Sequence, residues 1–148
     1  MKSFRRILHP TDFSRASAPA LAKALQLARR DGAELLVAHV LLPPAPLVGD
    51  GFVSAGTYGA LDVAARKDAQ KRLAARVARA KKAKVRVKGL LLRGIPHLQI
   101  PHTAKLKRAD LIVMGTHGRS GLSRLFLGSV AERVIRLAPC PVLTVRGR

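Results

Sequence analysis

The run Ala33 to Leu42, apolar except for Glu34 and His39, limits the fold more than any other feature of the chain. A strand with one wet face alternates apolar and polar residues. This one does not, so it reads as a parallel strand covered on both faces. Asp31-Gly32 before it closes a helical pattern, and Pro43 follows it. A sheet of such strands needs a crossover helix between each consecutive pair.

The rest of the chain supplies that alternation. Arg5 to Pro10 reads as the first strand. Ser14 to Arg30 reads as a helix, with Ala18, Leu21, Ala22, Leu25 and Ala28 at helical spacing. Pro19 fits only in a first turn, which sets the helix start near Ser17. Pro43 to Gly59 reads as a long Pro/Gly-rich connection. Leu61 to Lys82 is helical, with Ala69, Leu73, Val77 and Ala80 as its inner stripe. Val85 to Leu92 is the third strand. A helix from about Pro96 to Lys107 follows, in which Pro101 implies a late start or a bend. Asp110 to Gly115 is the fourth strand, Val130 to Leu137 the last helix, and Val142 to Arg146 the fifth strand. The expectation is an α/β, Rossmann-like open parallel sheet with right-handed crossovers. No internal repeat is visible, and 148 residues suit one domain, 1–148.

The candidate site is a glycine-bearing loop between the fourth strand and the last helix. Gly115-Thr116-His117-Gly118 is followed by nine residues and then Gly128-Ser129. Strand, glycine loop and helix N-terminus together offer backbone N–H groups to a phosphate. Glycine permits close approach and a positive φ. The spacing is neither the Walker pattern nor the dinucleotide fingerprint. Ser129 with Glu132 also fits a capping box.

This motif resembles the ATP-binding signature of the universal stress protein family. The resemblance extends over nearly the whole chain. It includes Ile7-Leu8-His9-Pro10-Thr11-Asp12-Phe13-Ser14, His39-Val40, Ala109-Asp110-Leu111-Ile112-Val113-Met114-Gly115 and Pro139-Cys140-Pro141-Val142-Leu143-Thr144-Val145. It implies a five-stranded sheet of order 3-2-1-4-5 flanked by helices, with ligand at the switch between strands one and four. It implies ATP or ADP, with Mg2+, as the ligand, held by Thr11, Asp12, Val40, Met114, Gly115, His117, Gly118, Arg119, Gly128, Ser129 and Val130. Asp12 would serve the nucleoside end, with a helix N-cap as its rival role. The Val40 main chain would meet the adenine edge, Gly115 and Gly118 the ribose and phosphates, and Arg119 the phosphate charge. The resemblance further implies a homodimer through the C-terminal strand and nucleotide occupancy as a stress signal, with hydrolysis slow or absent. No catalytic residue is assigned.

Charge raises a second reading. The chain has a formal net charge of +20, and residues 61–90 hold eleven Lys and Arg against Asp62 and Asp68. Such a field favours polyanions. A nucleotide-independent protein that binds nucleic acid or acidic partners, without sequence preference, through residues 66–88 is therefore the alternative. Cys140 reads as a buried structural thiol in a reducing, cytoplasmic setting. His9 and His39 read as satisfied core histidines. His97 and His102 are spaced poorly for metal, and no metal site is expected. No leader or membrane span is expected either.

Overall fold

The computed structural model describes residues 3–44, 54–117 and 127–147. Among these, five strands form one parallel sheet: β1 (Arg6–Pro10), β2 (Glu34–Leu41), β3 (Arg86–Arg93), β4 (Leu111–Gly115) and β5 (Val142–Val145). Their order is β3-β2-β1-β4-β5, with every neighbouring pair parallel. Register is set by the apolar set, which pairs Ile7 with Leu35 and with Leu111.

Among the described residues four α-helices lie between the strands: α1 (Ala18–Asp31), α2 (Ala55–Lys82), α3 (Pro96–Leu106) and α4 (Ser129–Leu137). The sheet divides the core in two. Ile7, Leu35, Val37, Leu111 and Val113 pack toward α1 and α2, while Leu8, Leu36, Ala38, Ile112 and Met114 pack toward α3 and α4. Each fully buried Leu or Ile contributes about 1.5–3 kcal/mol of transfer free energy. The run Glu34–Leu41 is buried throughout its middle, as a central strand covered on both faces must be. Edge strand β3 carries Gly89, where a Cβ would stand 3.0 Å from Val77 Cγ2. Its absence lets α2 lie close on the sheet.

Three details differ from the sequence pattern. Helix α2 starts at Ala55, six residues before Leu61, because Ser54 caps it by accepting the Thr57 N–H. Gly56 and Gly59 therefore lie inside the helix and not in a loop. Pro101 lies within a continuous α3 and is buried there. Cys140 is half-buried, and burial pushes its thiol pKa up.

Helices α1, α2 and α3 end in the same way at the end of the sheet where strands begin. Ala33 N–H reaches Ala28 O, Val85 N–H reaches Ala80 O, and Ala109 N–H reaches Ala104 O. Each is a Schellman closure, whose turning residue adopts positive φ. That residue is Gly32 after α1 (φ 64°), but Lys84 after α2 (φ 58°) and Arg108 after α3 (φ 52°).

Candidate functional site

An organised cleft lies at the opposite end, where the strands finish and the chain order reverses between β1 and β4. It has a volume of about 530 Å3, within the range of small-molecule sites. Thr11, Asp12, Val40, Met114, Gly115, His117, Gly128, Ser129 and Val130 all line it. Gly118 and Arg119 lie outside the described residues.

One wall is the exit of β2. Hydrogen-bonding direction alternates along a strand. Ala38 O accepts from Thr11 N–H on the β1 side (2.8 Å), and Leu41 O accepts from Gly94 N–H on the β3 side (2.9 Å). Val40 is in phase with Ala38, so its N–H and C=O face the β1 side. The β1 pairing has stopped at Pro10 opposite Ala38. A main-chain donor and acceptor thus face the cleft from an otherwise apolar wall.

The β1 exit is a tight turn. Thr11 Oγ1 accepts the Phe13 N–H (3.0 Å) and meets Ser17 Oγ at 3.3 Å. Asp12 Oδ1 accepts the Ser14 N–H (2.9 Å). Asp12 is therefore not a helix N-cap: Ser14 occupies that position before a 3-10 turn, Arg15–Ser17, that leads into α1. The turn holds Phe13 at φ 64°, an unusual conformation for a bulky residue. Phe13 stacks on His39 with centroids 4.2 Å apart, and the Arg76 guanidinium of α2 lies over the Phe13 ring at 5.8 Å.

The opposite wall is the N-terminus of α4. Gly128 is its N-cap, with φ −61°. Glycine is therefore needed here for space and not for a positive φ. A Cβ on Gly128 would stand 2.8 Å from Thr116 O, to which the Gly128 N–H already donates at 2.7 Å. The Ser129–Glu132 capping box does not form: Glu132 pairs with Arg136, and Ser129 lies in the first helical turn with no side-chain cap. Gly128, Ser129, Val130 and Ala131 at the start of α4 line the cleft, and the free N–H groups and dipole of a helix N-terminus favour an anion there.

Several lining residues carry no local sequence signal. Ala65, Asp68 and Ala69 of α2 and Pro96 and Ile100 of α3 complete the lining, with Phe13 and His39 from the motifs at the β1 and β2 exits. Asp68 pairs with Arg72 at 2.9 Å. His39 is buried with Nδ1 on Thr11 O (2.8 Å), as a core histidine should be. His9 is only half satisfied: Nδ1 meets Val113 O at 2.8 Å, but Nε2 has no hydrogen-bond partner. Burial pushes its pKa down to about 4, so the ring is neutral. No cluster of His, Cys, Asp and Glu able to hold a metal occurs among the described residues. The cleft suits a ligand with a flat hydrogen-bonding edge at one end and negative charge at the other.

Comparison with known proteins agrees with this architecture. The model of the Universal stress protein family matches residues 3–146. Universal stress protein MJ0531 of Methanocaldococcus jannaschii is 37% identical over 97% of this chain and 82% of its own length. The solved structure of MJ0577, from the same organism, superposes with a TM-score of 0.84 at 26% identity, covering 99% of each chain. A universal stress protein solved in complex with cAMP gives 0.72 at 26% identity, over 99% of this chain and 100% of that one. One from Archaeoglobus fulgidus in complex with dAMP gives 0.66 at 27%, over 98% and 100%.

Proposed function

The chain belongs to the universal stress protein family, and we propose that it binds ATP or ADP in the cleft between β1 and β4, with occupancy serving as a stress signal. The observation behind this is the orientation of the Val40 main chain, opposite the N-terminus of α4. Adenine offers N1 and the N6 amine, which match one N–H and one C=O without any side chain. The phosphates would run toward Gly128, Ser129 and Val130 and the loop after His117. Thr11 and Asp12 stand between, beside the ribose. Structural relatives in complex with cAMP and dAMP support an adenine nucleotide as the ligand class.

Magnesium would arrive with the phosphates, which supply most of its ligands, with one or two carboxylates at most. Asp12 is the cleft carboxylate on the β1 side. Hydrolysis is slow or absent in this reading. Asp68, the other carboxylate of the described lining, is paired with Arg72, and no lining residue is assigned as a catalytic base. Strand β5 ends the sheet, and Leu143 is exposed on it. A homodimer formed by antiparallel pairing of β5 would satisfy that edge. A cytoplasmic location completes the proposal, and no described helix is long and apolar enough to cross a membrane.

The direct test is acid extraction of the purified protein, with the released base identified chromatographically, followed by calorimetry with ATP, ADP and GTP. Adenine nucleotide release and a measurable ATP affinity are expected. Absence of both from folded protein would leave the alternative, a nucleotide-independent interaction protein.

A further inference from the structure

The positive charge of this protein is not spread evenly, and it does not simply follow α2. Every helix runs back from the strand ends to the strand starts, so helix C-termini and strand N-termini share one face. That base comprises residues 3–6, 29–34, 79–88, 105–111 and 136–142. Within it stand fourteen Lys and Arg, all exposed, against three carboxylates, Asp31, Glu34 and Asp110. The cleft end comprises residues 10–18, 41–44, 54–62, 93–97, 115–117, 127–131 and 145–147. Among the described residues it has three cations, Arg15, Arg93 and Arg146, and two carboxylates, Asp12 and Asp62. Of the basic residues in 61–90, six lie on the base, Arg79 to Lys88.

The three base carboxylates offset only three of the fourteen cations. Asp31 is held by Arg30 and by the Phe4 N–H. Glu34 lies between Lys88 (2.8 Å) and Arg6 (3.3 Å). Asp110 Oδ2 accepts the N–H groups of Arg5 (2.7 Å) and Arg6 (2.9 Å). Two guanidiniums are pinned by main chain, Arg6 on Lys107 O and Arg86 on Gly32 O. Arg5, Lys84, Lys107 and Arg108 form no ion pair with described residues. A groove of about 600 Å3 runs among Arg5, Arg6, Arg86 and Arg108, with Asp31, Glu34 and Asp110 also in its lining.

Favourable placement of cations at helix C-termini explains part of this pattern. It does not explain Arg5, which precedes β1, or Arg86 and Lys88 in β3. Nor does it explain Lys84 and Arg108, which occupy the left-handed closing positions where glycine is the usual choice and where α1 uses Gly32. Both positions have a cation in a backbone conformation that disfavours a side chain.

We infer that the base is a second binding surface, separate from the nucleotide cleft, that takes the phosphate backbone of double-stranded nucleic acid. Guanidiniums in excess of carboxylates, two of them held by main chain, suit the phosphate oxygens of a duplex. No Trp, Tyr or His stands on the base, and Phe4 is packed against the core, so single-strand stacking has no platform. The helices meet this face end-on. No apolar helical stripe lies in its plane, as a bilayer-seated surface would have. Recognition is therefore of charge and shape, indifferent to sequence.

Fluorescence anisotropy with a mixed-sequence DNA duplex of about 20 base pairs, titrated from about 50 mM salt upward, tests this. The base variant combines Arg5→Gln, Lys84→Gly and Arg108→Gly; the last two changes also relieve the backbone. The control removes the same charge from α2 further from the base, with Arg66→Gln, Lys67→Gln and Lys71→Gln. A second base variant, Lys82→Gln with Arg5→Gln and Lys107→Gln, alters exposed side chains alone. The base variants should bind at least tenfold more weakly, and their salt slope should flatten by about 0.9 for each phosphate they no longer neutralise. The control should stay within about threefold, and ATP affinity should be unchanged in all three. Equal weakening in base and control variants would overturn the assignment. So would no duplex binding at the lowest salt, or tighter binding of single strands or of anionic phosphatidylserine vesicles.

Discussion

Two single residues set testable limits at the site and in the core. Gly128 has no room for a methyl group, because the atom it would strike is main-chain oxygen, Thr116 O at 2.8 Å. Gly128→Ala must push the α4 N-terminus away from β4, at a stability cost of about 1–3 kcal/mol. Calorimetry should show ATP affinity down at least tenfold, or about 1.4 kcal/mol. Unchanged affinity in the folded variant would contradict phosphate binding at this terminus. His9 is buried neutral with a pKa of about 4 against an ordinary 6.5. The unfolded chain takes up that proton below pH 6.5 and the native chain does not until about pH 4. Stability therefore falls as pH drops through this window, by up to about 3 kcal/mol, and levels off below it. Asn at this position keeps a donor near Val113 O and cannot titrate. Urea unfolding of His9→Asn between pH 7 and 4 should lose most of that slope. The Asp31 contribution is separable. The Arg30 hydrogen bond, then the Phe4 N–H, hold its pKa at about 2, so what it adds is lost only below the ordinary carboxylate range.

At the scale of elements, the helix endings expose a conflict between local backbone preference and charge. Lys84 and Arg108 sit at φ 58° and 52°, where a side chain costs roughly 1 kcal/mol or more. Thermal unfolding should find Lys84→Gly and Arg108→Gly each more stable than the natural chain by about 0.5–1 kcal/mol. A decrease instead would mean that their side chains make interactions of greater worth than the strain. These positions also mark what the sequence could reveal. All five strands and four helices were legible, because β2 is apolar through and through and the helices keep their period. The α2 start was not: Gly56 and Gly59 read as loop, and the Ser54 cap outweighed them. The lining of the candidate cleft was legible where it is local, at Thr11-Asp12, at Gly115 to His117 and at Gly128-Ser129. Its outer wall of Ala65, Asp68 and Ala69 was not, since only the seating of α2 on the sheet brings those residues to the cleft. That seating depends on Gly89 in β3, a contact between segments with no shared pattern.

For the whole molecule, a net charge of +20 acts on every association, and its sign separates two of them. Pairing of two β5 edges would bring two strongly cationic bodies together. Self-repulsion opposes it, and salt screens that repulsion over a Debye length of about 8–10 Å near physiological ionic strength. Dimer affinity should therefore rise with salt. Binding of a duplex by the base releases counterions and should weaken as salt increases. A single preparation followed by sedimentation velocity and by duplex anisotropy across one salt series should show opposite slopes. The edge pairing itself can be isolated with Leu143→Lys, which places a charge on the exposed face of β5. That variant should be monomeric at every salt concentration while retaining duplex binding. If the variant stays dimeric, or if dimerisation of the natural chain weakens with salt, the pairing surface lies elsewhere on the molecule.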